Sequence, residues 1–440
     1  MKLSLYSYLF ERDHQYYLYN SETEFLSAID EDLYEKLYDG AFNEIRKDLI
    51  SLLMKKKVIV QDNRLYDYYY SAKLRHLSNI GTSDILNLVI APTSNCNFAC
   101  PYCFEGEKNN KIMTDKIVKN IISFINGFKT VTKLHLTWYG GEPLIAFNII
   151  EDIVSKINQQ CKAKISHQTI ITNGYLLSEK VAKRMVKLKF NSVQISLDGD
   201  EANHNKTRCL MGSHGKTFSK ILHNIGTLIH HTTNDFRIDI RINVNKRNQE
   251  DFPILYKKLI KMFGDKRIKP YPGFIRETSK DNCKMCYKSL YSIDRYNFYK
   301  EIERQGIPVD FFPHIDIQKG CMVNRNDSFV IGPEGELYKC WNDFNNPERI
   351  IGYIHEKKLK NSSLLCHYLY DTSIYNREEC KSCLLFPVCD GGCQWFRHKN
   401  IFENKEYDTC CFIKDRHILE NCLLSKNNHL LGKGPIIKAI

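Results

Sequence analysis

No apolar run in this chain approaches the ~20 residues that a helix needs to cross a bilayer, so no membrane span is expected. No secretory targeting is expected either. The stretch from Met1 to Phe10 is short and polar for a signal peptide, and Glu11, Arg12 and Asp13 follow at once. There is no internal repeat and no long low-complexity stretch. The excess of base, 63 Lys and Arg against 51 Asp and Glu for a net +12, does not gather into a stripe, and Lys55-Lys56-Lys57 reads as a solvated helix end. A nucleic-acid partner is therefore not expected, and an acidic peptide is as compatible with the sign. What remains is a globular chain of 440 residues, 43% apolar and 12% aromatic, sized for two to three domains. Its seventeen cysteines, read in a cytoplasmic and reducing compartment, point to metal or redox chemistry more than to structural disulfides.

Three of those cysteines stand in Ser94-Asn-Cys96-Asn-Phe-Ala-Cys100-Pro-Tyr102-Cys103-Phe104, directly after a strand-like run from Leu86 to Ala91. Iron in a [4Fe-4S] cluster is normally held by four thiolates, so a loop offering three leaves one iron open to a small molecule. Zinc loops also use C-x2-C pairs, and the surrounding chain has to decide between them. A helical stretch from Thr114 to Phe128 is followed by Lys133 to Trp138 and then by Tyr139-Gly140-Gly141-Glu142-Pro143, where paired glycines allow close backbone approach beside a carboxylate. Gln168 to Thr172 with Asn173-Gly174, and Ser192 to Ser196 with Leu197-Asp198-Gly199, are β-branched strands that end in polar residues and glycine. Arg237 to Val244 supplies another, with Arg241 and Asn243 near its end.

This combination resembles the radical S-adenosylmethionine (SAM) superfamily. The resemblance implies an α/β fold whose core, about residues 84–308, is a partial (β/α)6 barrel with strands near 86–91, 133–138, 168–172, 192–197, 236–243 and 268–272. The active site is then expected at the C-terminal strand ends. It implies that Cys96, Cys100 and Cys103 hold a [4Fe-4S] cluster completed by SAM. Gly140, Gly141, Glu142 and Pro143 correspond to the turn that holds SAM's amino group, and Tyr102 to the residue that flanks its adenine. Thr172, Asn173, Ser196, Asp198, Arg208, Arg241 and Asn243 complete the expected SAM contacts, although strand-end surface roles suit Arg241 and Asn243 equally. Asp200 to His204, with Arg208 and Gly215 to Phe218, resembles members that modify polypeptides. No catalytic acid or base is assigned.

A second cysteine-rich region runs from Cys321 and Cys340 through Cys380-x2-Cys383-x5-Cys389-x3-Cys393 to Cys410, and resembles the SPASM domain. That likeness implies two auxiliary [4Fe-4S] clusters in residues 309–440. One would be held by Cys380, Cys383, Cys389 and Cys410, the other by Cys321, Cys340 and Cys393. The fourth ligand of the second could be an open site, Cys283 or Cys286, and Cys411 could replace Cys410. Ten thiolates around three cores of charge +2 would lower the net charge to about +8. Cys161, Cys209, Cys366 and Cys422 read as buried small hydrophobes.

Residues 1 to about 80 form a winged-helix-like unit: a strand at Gln15 to Tyr19, a capping box at Ser21 to Glu24, helical spacing over 30–38 and 42–54, and a strand at Val58 to Val60. Peptide maturases of the family carry such a unit to bind the leader of a ribosomally made precursor. Tyr66 to Tyr70 reads as a linker packed on the barrel, Gly332 to Cys340 as a hairpin-like turn, and Lys426 to Ile440 as a frayed tail.

The expected activity is reductive cleavage of SAM to a 5′-deoxyadenosyl radical that modifies a precursor peptide, with thioether or carbon–carbon crosslinking first and epimerisation or another radical modification behind it. Partners would be the precursor peptide with its leader and an electron donor such as flavodoxin or ferredoxin. Sulfatase-maturing relatives place an aspartate where this chain has Trp341, which counts against formylglycine formation. An RNA-modifying radical SAM enzyme and a zinc or redox adaptor are the readings of other classes.

Overall fold

Strand alternation and helix amphipathicity divide the molecule's central layer cleanly. The computed structural model describes residues 1–81, 84–103, 105, 109–275, 292–309, 321–389 and 391–431, so Cys283 and Cys286 lie outside it. The chain opens with β1 (Lys2–Leu3), then β2 (Ser7–Arg12), β3 (Gln15–Asn20) and β4 (Phe25–Ile29), an antiparallel meander. Helices α1 (Glu31–Asp39) and α2 (Lys47–Lys55) follow, and β5 (Ile59–Val60) pairs back with β1. Asp30 caps α1 by accepting from the Leu33 amide. Helix α3 (Asp67–Gly81) leads to the next layer.

Two expectations fail here. Ser21 to Glu24 does not cap a helix. It is the turn between β3 and β4, where Glu24 sits at φ +50° and Ser21 is buried. The missed meander explains it, since a Ser-x-x-Glu pattern suits a tight polar turn as well as a cap. Tyr66 to Tyr70 is not a barrel-packed linker, because α3 begins at Asp67 and Tyr69 buries its ring against Tyr375 and Phe386.

Six parallel strands then run in sequence order: β6 (Ile85–Ile90), β7 (Lys133–Trp138), β8 (Lys164–Thr172), β9 (Ser192–Leu197), β10 (Arg237–Val244) and β11 (Ile268–Phe274). Between them lie α4 (Asp115–Gly127), α5 (Phe147–Gln160), α6 (Glu179–Lys187), α7 (Glu201–Thr207), α8 (Phe218–His231) and α9 (Asp251–Phe263), with α10 (Ser292–Arg304) after β11. One residue row of β6, β7, β9 and β10, such as Leu134, Leu136 and Trp138 or Ile238, Ile240 and Ile242, is sealed under these helices. The opposite row carries His135 and Thr137, Gln194 and Ser196, Asp239 and Arg241, all partly exposed. Toward β6 and β12 the same face turns apolar, where Val89, Tyr139, Val330 and Tyr338 pack in a second buried cluster. The strands match their expected positions closely, and Pro270 and Pro272 sit in β11, whose one strand partner among the described residues is β10, as edge placement requires.

The C-terminal part continues the same sheet. Strand β12 (Ser328–Ile331) pairs in parallel with β6, and β13 (Glu336–Tyr338) and β14 (Gly352–Tyr353) follow antiparallel. The hairpin expected at Gly332 is therefore present, with Gly335 at φ +87°. A final helix, Arg416–Leu431, takes up the start of the segment read as a tail. Among the described residues, no helix is long and apolar enough to cross a membrane.

Candidate functional site

The three-cysteine loop leaves the C-terminal end of β6 and is fastened on three sides. Thr93 donates to the Lys111 carbonyl at 2.7 Å, and Ser94 exchanges bonds with Lys111. Ala99 donates to Cys209 O and Met211 to Asn97 O, at 3.0 and 2.8 Å. The third side is the Gly-Gly-Glu-Pro turn at the end of β7. A Cβ on Gly140 would lie 2.3 Å from Thr93 O, and one on Gly141 2.2 Å from Asn95 O. The close approach anticipated at these glycines is thus to the cysteine loop's own backbone, and the Glu142 amide donates to Asn95 O at 2.7 Å. Pro143 opens the short 3-10 turn that follows.

Glu142 is fully buried and joins this turn to the end of β8. Its Oε1 accepts from the Leu144 amide at 3.0 Å and from Thr172 Oγ1 at 2.7 Å, and its Oε2 from the Asn173 amide at 2.7 Å. Burial pushes its carboxyl up to about 6 against those three donors. Asn173 Nδ2 in turn reaches Asn97 Oδ1 of the cysteine loop at 2.7 Å.

A second network gathers the other predicted residues. Asp198, just past β9, accepts from Thr207 Oγ1 at 2.7 Å, from Asn243 Nδ2 at 2.9 Å and from the Tyr102 hydroxyl. Arg208 donates to that hydroxyl at 3.1 Å, lies 3.9 Å from Asp198, and places its guanidinium over the Phe98 ring. Burial opposes its charge, but Tyr102, Cys100 and Asp198 keep its pKa above the ordinary range. Arg241 donates to Asn243 Oδ1 at 3.0 Å and stands beside Ser196 in register. Tyr102 therefore enters as a hydrogen-bonding partner of β9 and β10 through its hydroxyl. Thr207 and Asn97 were missed; each follows a recognised residue by one position or precedes it by one, and nothing in their type marks them.

Cys96, Cys100 and Cys103 are partly exposed thiols within electrostatic reach of one another. Burial, opposed by Arg208 and reinforced by Asp198 and the neighbouring thiols, pushes Cys100 up to about 12, a cost that iron coordination reverses because a metal-bound thiol is deprotonated. Around this loop Asn95 Oδ1, Asn97 Nδ2 and Arg208 Nε are buried without a hydrogen-bond partner among the described residues. A donor set of three thiols ringed by unsatisfied polar atoms fits a cluster that carries a polar small molecule.

The C-terminal cysteines fall into two spatial sets. Burial, then Asp343, Cys321 and Cys393, raise the Cys340 thiol well above its usual range, so Cys393 stands with Cys321 and Cys340. Cys380 has Cys383 and Cys410 beside it, and Arg397 faces Cys380, Cys389 and Cys410. Gly392, at φ +63°, lets this crossing happen: a Cβ there would meet Thr409 O at 2.0 Å, just before Cys410. Cys411 packs with Cys422 and Leu385 in a cluster that Cys383 also flanks. Among the described residues no three His, Cys, Asp or Glu side chains converge on a single ion. A four-iron cluster asks for something different, one thiolate per iron spread around a cubane. Cys161, Cys209 and Cys422 are buried as expected, but Cys366 is exposed, because the helix Ser362–Cys366 turns Leu364 inward instead.

Residues 90–259 match the family model of the radical SAM superfamily. A cysteine-type anaerobic sulfatase-maturating enzyme of Clostridium novyi is 27% identical over 349 residues, covering 72% of this chain and 89% of that one. An uncharacterized protein of Methanocaldococcus jannaschii is 38% identical over 117 residues, 27% of this chain and 40% of that one. The solved structure of native anSMEcpe with bound AdoMet and Cp18Cys peptide superposes with a TM-score of 0.59 at 22% identity, covering 79% of this chain and 99% of that one. The chain carries a radical SAM domain. Over 72% of its length the chain is similar to an anaerobic sulfatase-maturating enzyme.

Proposed function

We propose that this enzyme modifies a ribosomally made precursor peptide, by thioether or carbon–carbon crosslinking, through a 5′-deoxyadenosyl radical. SAM bound at a [4Fe-4S] cluster on Cys96, Cys100 and Cys103 would supply that radical on one-electron reduction. The chain's own part is placement. Glu142, with Thr172 and Asn173, fixes the turn against the cysteine loop, and its Oε2 keeps acceptor capacity for an ammonium group. Asp198, Arg208, Asn243 and Tyr102 hold the opposite side, and a peptide segment would enter over the partly exposed polar residues of β7, β9 and β10, such as Thr137, Gln194, Ser196 and Arg241.

The observation that carries the reading beyond SAM cleavage is the crossing of the cysteines. Cys393 leaves Cys389, four residues away, to stand with Cys321 and Cys340, while Cys410 returns to Cys380 and Cys383. Two interleaved thiol sets are what two auxiliary clusters need, and such clusters would accept the electron released when a substrate radical closes a new bond. Formylglycine formation is not favoured. Trp341 packs edge-on against Tyr139 at 5.5 Å and donates to Met322 Sδ, and the nearby Asp343 is occupied by Tyr368 and Trp395 at 2.7 and 2.9 Å. Residues 1–80 are assigned to the precursor leader, and flavodoxin or ferredoxin to electron delivery.

The test is anaerobic reconstitution with SAM and a strong reductant. About twelve irons per chain with 5′-deoxyadenosine formation is the expected result. Zinc without deoxyadenosine, or turnover that survives Cys96→Ala, would overturn it.

A further inference from the structure

The segment that carries Cys380, Cys383 and Cys389 is held from outside by the first 81 residues. Its backbone carbonyls at Lys381, Leu384 and Pro387 accept hydroxyls from Tyr6 at 3.4 Å, from Ser21, and from Tyr68 at 3.5 Å. Tyr69 donates to Tyr375 O at 2.6 Å beside it. Ser21 and Tyr6 are sealed, at 0% and 1% exposure. The rings of Tyr6, Tyr69, Tyr375 and Phe386 form one cluster, against which Cys380 and Cys383 pack. On the other flank Phe10 and Tyr19 join Leu385, Val388 and Ile413, with Cys383 and Cys411 against them.

This segment has little order of its own. It is one turn of helix, Glu378–Lys381, and a 3-10 turn, Phe386–Val388, with no strand ladder. Short turn bonds run along it, from Cys383 N to Cys380 O at 3.2 Å and from Phe386 N to Cys383 O at 3.0 Å, and the amino-terminal hydroxyls anchor these turns from outside.

We infer that docking of the amino-terminal unit and cluster assembly at Cys380, Cys383, Cys389 and Cys410 are thermodynamically linked, with Tyr6, Ser21 and Tyr69 as positioning residues for the outer cluster. The inference rests on the assignment of those thiols to a cluster. Linkage is reciprocal: whatever steadies the thiol segment steadies the unit, and loss of the cluster loosens the unit in equal measure. A leader bound by residues 1–80 would then act on the outer cluster directly.

The experiment uses the reconstituted full chain and follows iron loss to a chelator under anaerobic conditions. In the triple variant Tyr6→Phe, Ser21→Ala, Tyr69→Phe, one phase of about four irons should leave about fivefold faster or more. Tyr16→Phe, which removes a 3.0 Å bond to Glu31 inside the same unit and leaves its docking contacts intact, should leave that phase unchanged. Conversely, amide exchange over residues 7–29 should speed up in Cys380→Ser and not in Cys321→Ser. Unchanged iron release in the triple variant together with unchanged exchange in Cys380→Ser overturns the linkage. If Cys380→Ser holds as much iron as the wild type, the cluster assignment falls instead, and the linkage with it.

Discussion

Replacing Gly141 by alanine isolates the contact between the Gly-Gly-Glu-Pro turn and the cysteine loop, because this glycine does not sit at positive φ and its exchange adds no left-handed strain. The new Cβ would lie 2.2 Å from Asn95 O and 2.5 Å from Ser94 O, so two backbones must part by roughly 1 Å before ordinary contact is restored. Parting them stretches the bonds from Gly141 N to Thr93 O at 3.2 Å and from Glu142 N to Asn95 O at 2.7 Å. Overpacking of about 1–3 kcal/mol and two bonds of about 0.5–1.5 kcal/mol each sum to about 2–6 kcal/mol. Gly264 is the control: it caps α9 at φ +58° with nothing within 4 Å, so alanine there costs only about 1–2 kcal/mol of left-handed strain. Thermal unfolding of the two apo variants gives the comparison, and iron retained by the reconstituted proteins gives the consequence for the site. Gly141→Ala should melt well below Gly264→Ala and hold less iron. Equal melting temperatures with full iron in both would show that the turn does not support the loop.

Glu142→Gln should remove a pH dependence as well as a bond. A carboxyl pushed up to about 6 is stabilising in its protonated form, so stability should fall as pH rises from about 4.5 through 6, and this slope should be absent in the variant, whose amide also faces the Asn173 N–H and costs about 1–3 kcal/mol. Tyr102→Phe deletes the hydroxyl shared by Asp198, Arg208 and Asn243 and should weaken SAM binding about tenfold, for a loss near 1.4 kcal/mol, read by equilibrium dialysis. Cys393→Ala should match Cys340→Ala in its iron-sulfur spectrum and differ from Cys389→Ala; a match to Cys389→Ala would undo the partition of the thiols. Cys366→Ser, at an exposed site, should leave stability within about 0.5 kcal/mol by urea titration, whereas buried Cys422→Ser should cost about 1–3 kcal/mol.

The barrel was legible because its two signals are local and redundant. Strands β7, β9 and β10 alternate apolar residues with polar ones and run into glycine or polar residues, so Ser192–Leu197 and Lys133–Trp138 can be bounded from their own residues. The amino-terminal meander was not, because β2 and β4 mix Ser, Glu and Arg with aromatics whose burial depends on Leu385, Ile413 and Ile418, some 360–410 residues away. Periodicity cannot register a face that is covered by the far end of the chain. The same reason placed Tyr66 to Tyr70 wrongly: a run of tyrosines next to the barrel in sequence packs instead on Tyr375 and Phe386.

The site divides along the same line. The residue types at the strand ends could be read one by one, but their grouping could not: that Tyr102, Arg208 and Asn243 meet on Asp198, while Thr172 and Asn173 meet on Glu142, is a product of β8, β9 and β10 standing side by side. Cys393 shows the limit most sharply. By spacing it belongs with Cys389, four residues earlier, and only the resemblance to related proteins separated them. In the structure the separation has a mechanical cause, since Gly391 and Gly392 both take positive φ and Gly392 leaves room for the Thr409 carbonyl. A side chain at Gly392 would push Thr409 and Cys410 away from the outer set while leaving Cys393 on its helix with Cys340. Gly392→Ala should therefore impair the outer thiols and spare the inner ones, a selectivity that spacing alone would assign to neither.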